Sequence, residues 1–319
     1  MSASKFVVTG ATGHLGRSVV QLLAEHGEVV AASRSGALPE APFSEAARTN
    51  VRGLAIDVER DDCVEPLRAE LGPEVALVHL AAWHPPRTAG TTPEDRRRLV
   101  AANTLGTLRV LEAARRAAGQ PHVACVVYAS TFEVYGIPEQ PGAVLESSRL
   151  NPITDYGATK LSGEDHLLAF AYEERARVVA LRFPAIYGPG ELTARALPNF
   201  LRSAASGERP TVHGSGRDLR DQLHVRDAAA SVLRAIVSNA SGIFNIADGE
   251  PHSIWQLAES AMAAAGLSGA PNQLPSDRQV YNFHMSIERA KAELGFEPRV
   301  SLLDGMKEQL LWLRQRSSP

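Results

Sequence analysis

Two rhythms of apolar positions run along this chain. Short unbroken runs read as strands buried on both faces: Phe6-Val7-Val8, Val29-Val30-Ala31-Ala32, and the stretches 75–82, 122–128 and 178–183. Further strands are expected over 53–58 and 243–247. Between the runs, apolar positions recur at helical spacing. The first helix starts at Leu15 and carries Val19, Val20, Leu22 and Leu23. Others are expected over 61–71, 93–118 and 192–206, after His224-Val225-Arg226-Asp227, and from Ser253. In the 93–118 helix, Leu99, Asn103, Gly106, Leu108, Leu111 and Ala114 fall on or near one face. The segment 35–52 is polar, rich in Ala and Pro, and expected to be a mobile loop.

At 319 residues the chain can bury a large core. Its net charge of −3, without a long block of one sign, argues against a nucleic-acid surface. Cys63 and Cys125 cannot make a disulfide framework, which suits a reducing, cytoplasmic setting. The N-terminus runs straight into a strand, so no signal peptide is expected. No apolar run reaches the roughly 20 residues of a membrane span. No metal-ligand set is read from the sequence.

Two constellations carry chemistry. The first is the turn between strand one and helix one, with Gly10, Gly13 and Gly16. Glycines let the chain turn sharply and let a diphosphate approach the backbone. The N–H groups and dipole at the helix start favour an anion. The second is Tyr156 and Lys160, four apart and so on one helix face. A phenol is a poor base at neutral pH, and a nearby ammonium favours the phenolate. Tyr156 can then exchange a proton with a substrate hydroxyl.

The Gly-x-x-Gly-x-x-Gly spacing within TGATGHLG resembles the nucleotide turn of the short-chain dehydrogenase/reductase superfamily, in its extended branch of nucleotide-sugar epimerases and dehydratases. The resemblance covers nearly the whole chain. It implies a doubly wound parallel sheet (Rossmann α/β) with a smaller C-terminal α/β substrate domain. Residues 1–185 plus roughly 222–250 would bind the dinucleotide; roughly 186–221 plus 251–319 would bind substrate. Around the dinucleotide it implies Gly10, Thr12, Gly13, His14, Leu15 and Gly16 at the diphosphate. Ser33 and Arg34 would lie at the adenosine ribose, and Asp57 and Val58 at the adenine. Leu80, Ala81 and Ala82 would lie along the strand tip. Asn103 would brace the site, Lys160 would hold the nicotinamide ribose, and Phe183 and Pro184 would meet the nicotinamide amide. Asp57 has a second reading, as a cap of the 61–71 helix. Arg34 stands where NAD-users of this family usually carry Asp. A guanidinium between Ser33 and Ser35 suits a 2′-phosphate, so NADP is favoured over NAD.

The resemblance makes Thr131, Tyr156 and Lys160 the catalytic set, with hydride moving to or from the nicotinamide. Glu133 is either a second base or a structural carboxylate. Thr131-Phe132-Glu133 resembles the Thr-Asp-Glu run of sugar 4,6-dehydratases, but Phe132 removes the general acid. Trp83, His84 and Arg87 are substrate contacts or plain loop packing. His79 reads as structural. Asn199 is placed at a nucleotide base. Arg220, before Asp221, is placed at a diphosphate, or else pairs structurally. Ala185 stands where nucleotide-sugar enzymes often have Asn, and an Arg-x-Gly-Asp segment is missing near Ser276-Asp277-Arg278. The implied activity is epimerisation or keto-reduction of a nucleotide-activated sugar. The alternatives are a reductase of a non-nucleotide carbonyl and a cofactor-binding protein without chemistry. A homodimer through the long helix is implied by resemblance alone.

Overall fold

A computed structural model describes residues 3–39, 44–85, 91–115, 123–138, 142–277 and 282–317. Strand β1 (Lys5–Thr9) leads into helix α1 (His14–Ala24), then β2 (Glu28–Ser33). The expected loop 35–52 instead holds a short helix, α2 (Glu45–Thr49), whose N-cap Ser44 accepts from the Ala47 N–H. Strand β3 (Val51–Ala55) begins and ends earlier than the apolar run suggests. The reason is Asp57, whose carboxylate accepts the Glu59 N–H and folds the chain out of the sheet. The helix expected over 61–71 shrinks to a 3-10 turn and α3 (Val64–Arg68). Arg60, not Asp57, is the N-cap of that turn, so the capping reading of Asp57 falls.

Strand β4 (Val75–His79) precedes a helical run that is not uniform. Helix α4 (Pro93–Leu99) is closed by a Thr92/Asp95 capping box. A π-helical segment, Val100–Leu105, follows, then α5 (Gly106–Ala113). Strand β5 (Cys125–Thr131) ends in a 3-10 turn, Phe132–Val134. Helix α6 (Asp155–Glu174) is N-capped by Thr154 and stops at Arg175 in the left-handed region, φ 52°. Strand β6 (Val178–Phe183) completes the central elements.

Beyond it come β7 (Ala185–Tyr187), α7 (Ala196–Ala205), β8 (Thr211–His213), β9 (Leu219–Arg220) and β10 (Gln222–His224). They are followed by α8 (Val225–Val237), β11 (Gly242–Asn245), β12 (His252–Ser253), α9 (Ile254–Ala265), β13 (Asn272–Leu274) and α10 (Leu302–Ser317). Helix α7 starts four residues later than expected, because Glu191 folds residues 188–195 into a loop of its own.

Seven strands form one parallel sheet in the order β11-β6-β5-β4-β1-β2-β3. The order reverses between β1 and β4, so a crevice opens at their carboxyl ends. One apolar cluster packs α1 and α8 on one face; a second packs α3, α5 and α6 on the other. A third joins α7, α9 and α10 around Leu201, Leu257 and Met306, apart from the sheet. Cys63 and Cys125 are buried free thiols.

Under α6 lies a buried ion pair. Arg182 of β6 donates from Nε and Nη2 to Glu164 of α6, at 2.9 and 2.6 Å, and both side chains are 1% exposed. Ser130 donates to the same carboxylate, and Arg182 Nη1 donates to the Tyr135 hydroxyl at 2.7 Å. Removing one partner of such a pair strands the other charge in the core. Glu164→Gln is expected to cost about 3–5 kcal/mol, read as a lower urea midpoint with an unchanged slope. A loss under 1 kcal/mol would mean the pair does not hold the helix.

Candidate active site

The glycine turn is built by close approach. Gly10 has φ +72°, and a Cβ there would lie 2.6 Å from the Ala81 nitrogen. A Cβ at Gly16 would lie 2.1 Å from the Gly10 carbonyl oxygen. No side chain caps α1, whose N-cap is Gly13, so its first-turn N–H groups face outward. Beside it is a cavity of about 230 Å³. Gly10, Thr12, Gly13, Ser33, Arg34, Asp57, Val58, Leu80, Ala81 and Ala82 all line it. A backbone-lined turn, an uncapped helix start and an acidic side chain further along fit a dinucleotide. Of the other expected cofactor residues, Leu15 and Gly16 lie in α1, and His14 turns toward Glu191.

Two further residues belong to this wall. Trp83 lines the cavity beneath Arg98, 5.0 Å from its ring centroid. Arg98 also lines the cavity, 3.4 Å from the Glu59 carboxylate. Sequence reading missed Arg98, because Arg96-Arg97-Arg98 looks like one solvated charge run.

A polar chain runs behind the strand tips. The Ala81 N–H donates to Thr9 Oγ1, which lies 2.7 Å from His79 Nδ1; His79 Nε2 lies 3.1 Å from Thr107 Oγ1. Thr107 donates its own proton to the Asn103 carbonyl. The roles therefore resolve: Nε2–H donates and Nδ1 accepts from Thr9. Burial, with Lys160 second, holds His79 at about 3, so it stays neutral and structural. Asn103 accepts the Trp83 N–H at 2.8 Å and donates to the Trp83 carbonyl and to Thr159 Oγ1. Its place in the π segment gives it this reach, binding the loop after β4 to α6.

Lys160 follows Tyr156 by one helical turn and is 2% exposed. Its Nζ sits 4.1 Å over the Tyr128 ring. Burial lowers it to about 7, with Glu164 pulling the other way. Tyr156 is half-buried, and the His84 ring lies 4.7 Å from its ring centroid. Thr131 ends β5 and its Oγ1 accepts the Glu133 N–H. Glu133 is buried and accepts from Thr154 Oγ1 at 2.7 Å, while Thr154 also caps α6. The carboxylate thus has a structural partner.

A second cavity, of about 540 Å³, opens beyond β6. Asn199 and Arg220 line it, together with Pro184, which was expected at the nicotinamide amide, while Phe183 is buried at the end of β6. Phe132, Arg195, Asp218 and Phe283 join them, and sequence reading had singled out none of the last three. Phe132 packs on Phe283, ring centroids 4.9 Å apart. Arg87 and Arg278 lie outside the described residues. Among the described residues, no cluster of His, Cys, Asp and Glu could hold a metal ion. No described helix is long and apolar enough to cross a membrane.

The chain is 31% identical to a dTDP-glucose 4,6-dehydratase of Streptomyces griseus, over 98% of this chain and 94% of that one. Its fold matches a UDP-glucose 4-epimerase of Thermotoga maritima solved with UDP-glucose, at a TM-score of 0.82 and 26% identity, covering 98% and 99%. It equally matches a UDP-glucuronic acid 4-epimerase of Bacillus cereus solved with UDP-glucuronic acid and NAD, at 0.81 and 26%, covering 98% and 99%. The profile of the NAD dependent epimerase/dehydratase family matches residues 6–247, and the chain belongs to that family.

Proposed function

We propose that this chain is an NAD(P)-dependent enzyme that epimerises or reduces a nucleotide-activated sugar. The observation that carries the reading is Lys160, a lysine shut in the core one turn from Tyr156, on the helix behind the strand tips. A buried ammonium is costly, and here its field falls on a half-buried phenol. Tyr156 would hold the proton of a sugar hydroxyl, with Thr131 bonding the same oxygen. The bound nicotinamide supplies the hydride acceptor or donor. Asn199 and Arg220 would hold the nucleotide end in the 540 Å³ cavity. The sheet would then serve the dinucleotide, and the cluster of α7, α9 and α10 the substrate.

Elimination of water is the weaker outcome. A departing hydroxyl needs an acid beside Thr131, and Phe132 has no proton to give. Glu133 is already engaged by Thr154.

NADP remains our favoured cofactor. Arg34 and Arg98 both line the 230 Å³ cavity, and guanidinium groups suit a 2′-phosphate. Asp57 and Glu59 in the same wall oppose this, although Glu59 is engaged with Arg98. A homodimer would form across α5 and α6. A groove between them is lined by Leu108, Leu111, His166 and Ala169, and Leu105, Leu168 and Tyr172 stand exposed on the same helical run and its neighbour.

Three measurements bear on these points. Tyr156→Phe should cut turnover of a UDP- or dTDP-sugar by about 10²–10⁴-fold, while dinucleotide still raises the melting temperature. Full turnover in that variant would end the proposal. Arg34→Ala should weaken NADP about tenfold more than NAD by calorimetric titration; tighter binding of NAD than NADP by the unchanged chain would overturn the preference. Sedimentation should return twice the chain mass, and Leu108→Glu with Tyr172→Glu should halve it. A monomer mass in the unchanged chain would rule out the dimer.

A further inference from the structure

His14 opens helix α1 at the end of the glycine turn, yet its ring turns away from the 230 Å³ cavity. Its Nδ1 lies 3.2 Å from the carboxylate of Glu191, which is 6% exposed. Glu191 belongs to the loop of residues 188–195 between β7 and α7. Its other oxygen accepts the Thr193 N–H at 2.8 Å and the Thr193 hydroxyl. Burial alone would raise this carboxyl; His14 and Thr193 more than offset it and hold it at about 2. The loop turns on Gly188 and Gly190, both at positive φ, and Gly188 N–H donates to Gln309 of α10. A Cβ at Gly190 would lie 3.4 Å from the His14 ring. The loop ends at Ala194 and Arg195, which line the 540 Å³ cavity.

One side chain at the dinucleotide turn therefore anchors the loop that walls the other cavity. The ionised Glu191 carboxylate lies against His14, the first residue of the helix that starts at the glycine turn. We propose that His14 and Glu191 form a positioning pair that couples the two cavities: dinucleotide bound at the start of α1 fixes His14, Glu191 and the 188–195 loop, and so sets Arg195 for a nucleotide diphosphate. The second half of this rests on the nucleotide-sugar reading above. Coupling of this kind is reciprocal, because both ligands bias one element.

The test uses the full chain, the tighter-binding of NAD and NADP, and UDP as the probe. Hydrogen exchange is followed across 188–195 with and without dinucleotide, in the unchanged chain, His14→Phe and Glu191→Gln. The last variant keeps the bulk and the Thr193 contacts, so it folds even where the first does not. Dinucleotide should slow exchange of the loop in the unchanged chain and lose most of that effect in the variants. UDP should bind about fivefold tighter in the presence of dinucleotide, falling below twofold in both variants. Equal protection, or an equal UDP ratio, in the variants and the unchanged chain would overturn the proposal. Loop protection that depends on His14 with no UDP binding at all would uphold the first half and sink the nucleotide-diphosphate reading instead.

Discussion

Everything at the active site is referred to one buried ion pair. Glu164 and Arg182 join α6 to β6 with two hydrogen bonds, and Ser130 of β5 adds a third to the same carboxylate. Helix α6 has almost no amphipathic stripe of its own: Lys160, Glu164 and Thr159 lie among its buried residues. Leu167 and Phe170 pack its second half into the core, but around Tyr156 and Lys160 the buried side chains are polar or absent. The planar fork fixes the rotation there, since a guanidinium meets a carboxylate in one plane and one register. Lys160 and Tyr156 sit one and two turns before Glu164, so the fork also sets where the ammonium and phenol point. The carboxylate has a second effect, because it partly offsets the burial that pushes Lys160 down. The same group orients the helix and keeps its lysine within reach of protonation near neutrality.

The polar chain from Thr9 to Thr159 performs the matching task on the other side of the crevice. Each hydroxyl in it both accepts and donates, so no buried polar atom along the path is left to face apolar surroundings. A neutral His79 is what the chain requires, since a charged ring could not accept from Thr9. Asn103 closes it by holding both backbone groups of Trp83. A straight α-helix would carry Asn103 past that loop; the π-helical segment is the local deformation that brings it into register. Sheet, loop and helix are thereby tied beside the dinucleotide cavity.

The parts legible in the sequence are those in which the signal is local. Strand β1, the glycine turn and α1 announce themselves because turn chemistry and apolar period agree within a dozen residues. Ten of the expected cofactor residues line one cavity for the same reason: they end successive strands, and a parallel sheet brings its strand ends together. Boundaries failed where a single side chain overrode the pattern, as Asp57 does at the end of β3 and Glu191 does ahead of α7. The stacking of Arg98 on Trp83 was not legible, because the two lie fifteen residues apart and on opposite sides of a loop. The pairing of His14 with Glu191 spans far more of the chain, between the first residue of α1 and a loop that carries no periodicity. Nothing in either segment marks the other, since such a contact is decided only after the sheet has set their distance. What the sequence encodes locally is the scaffold; what distinguishes this site is written in contacts that exist only once the scaffold has closed.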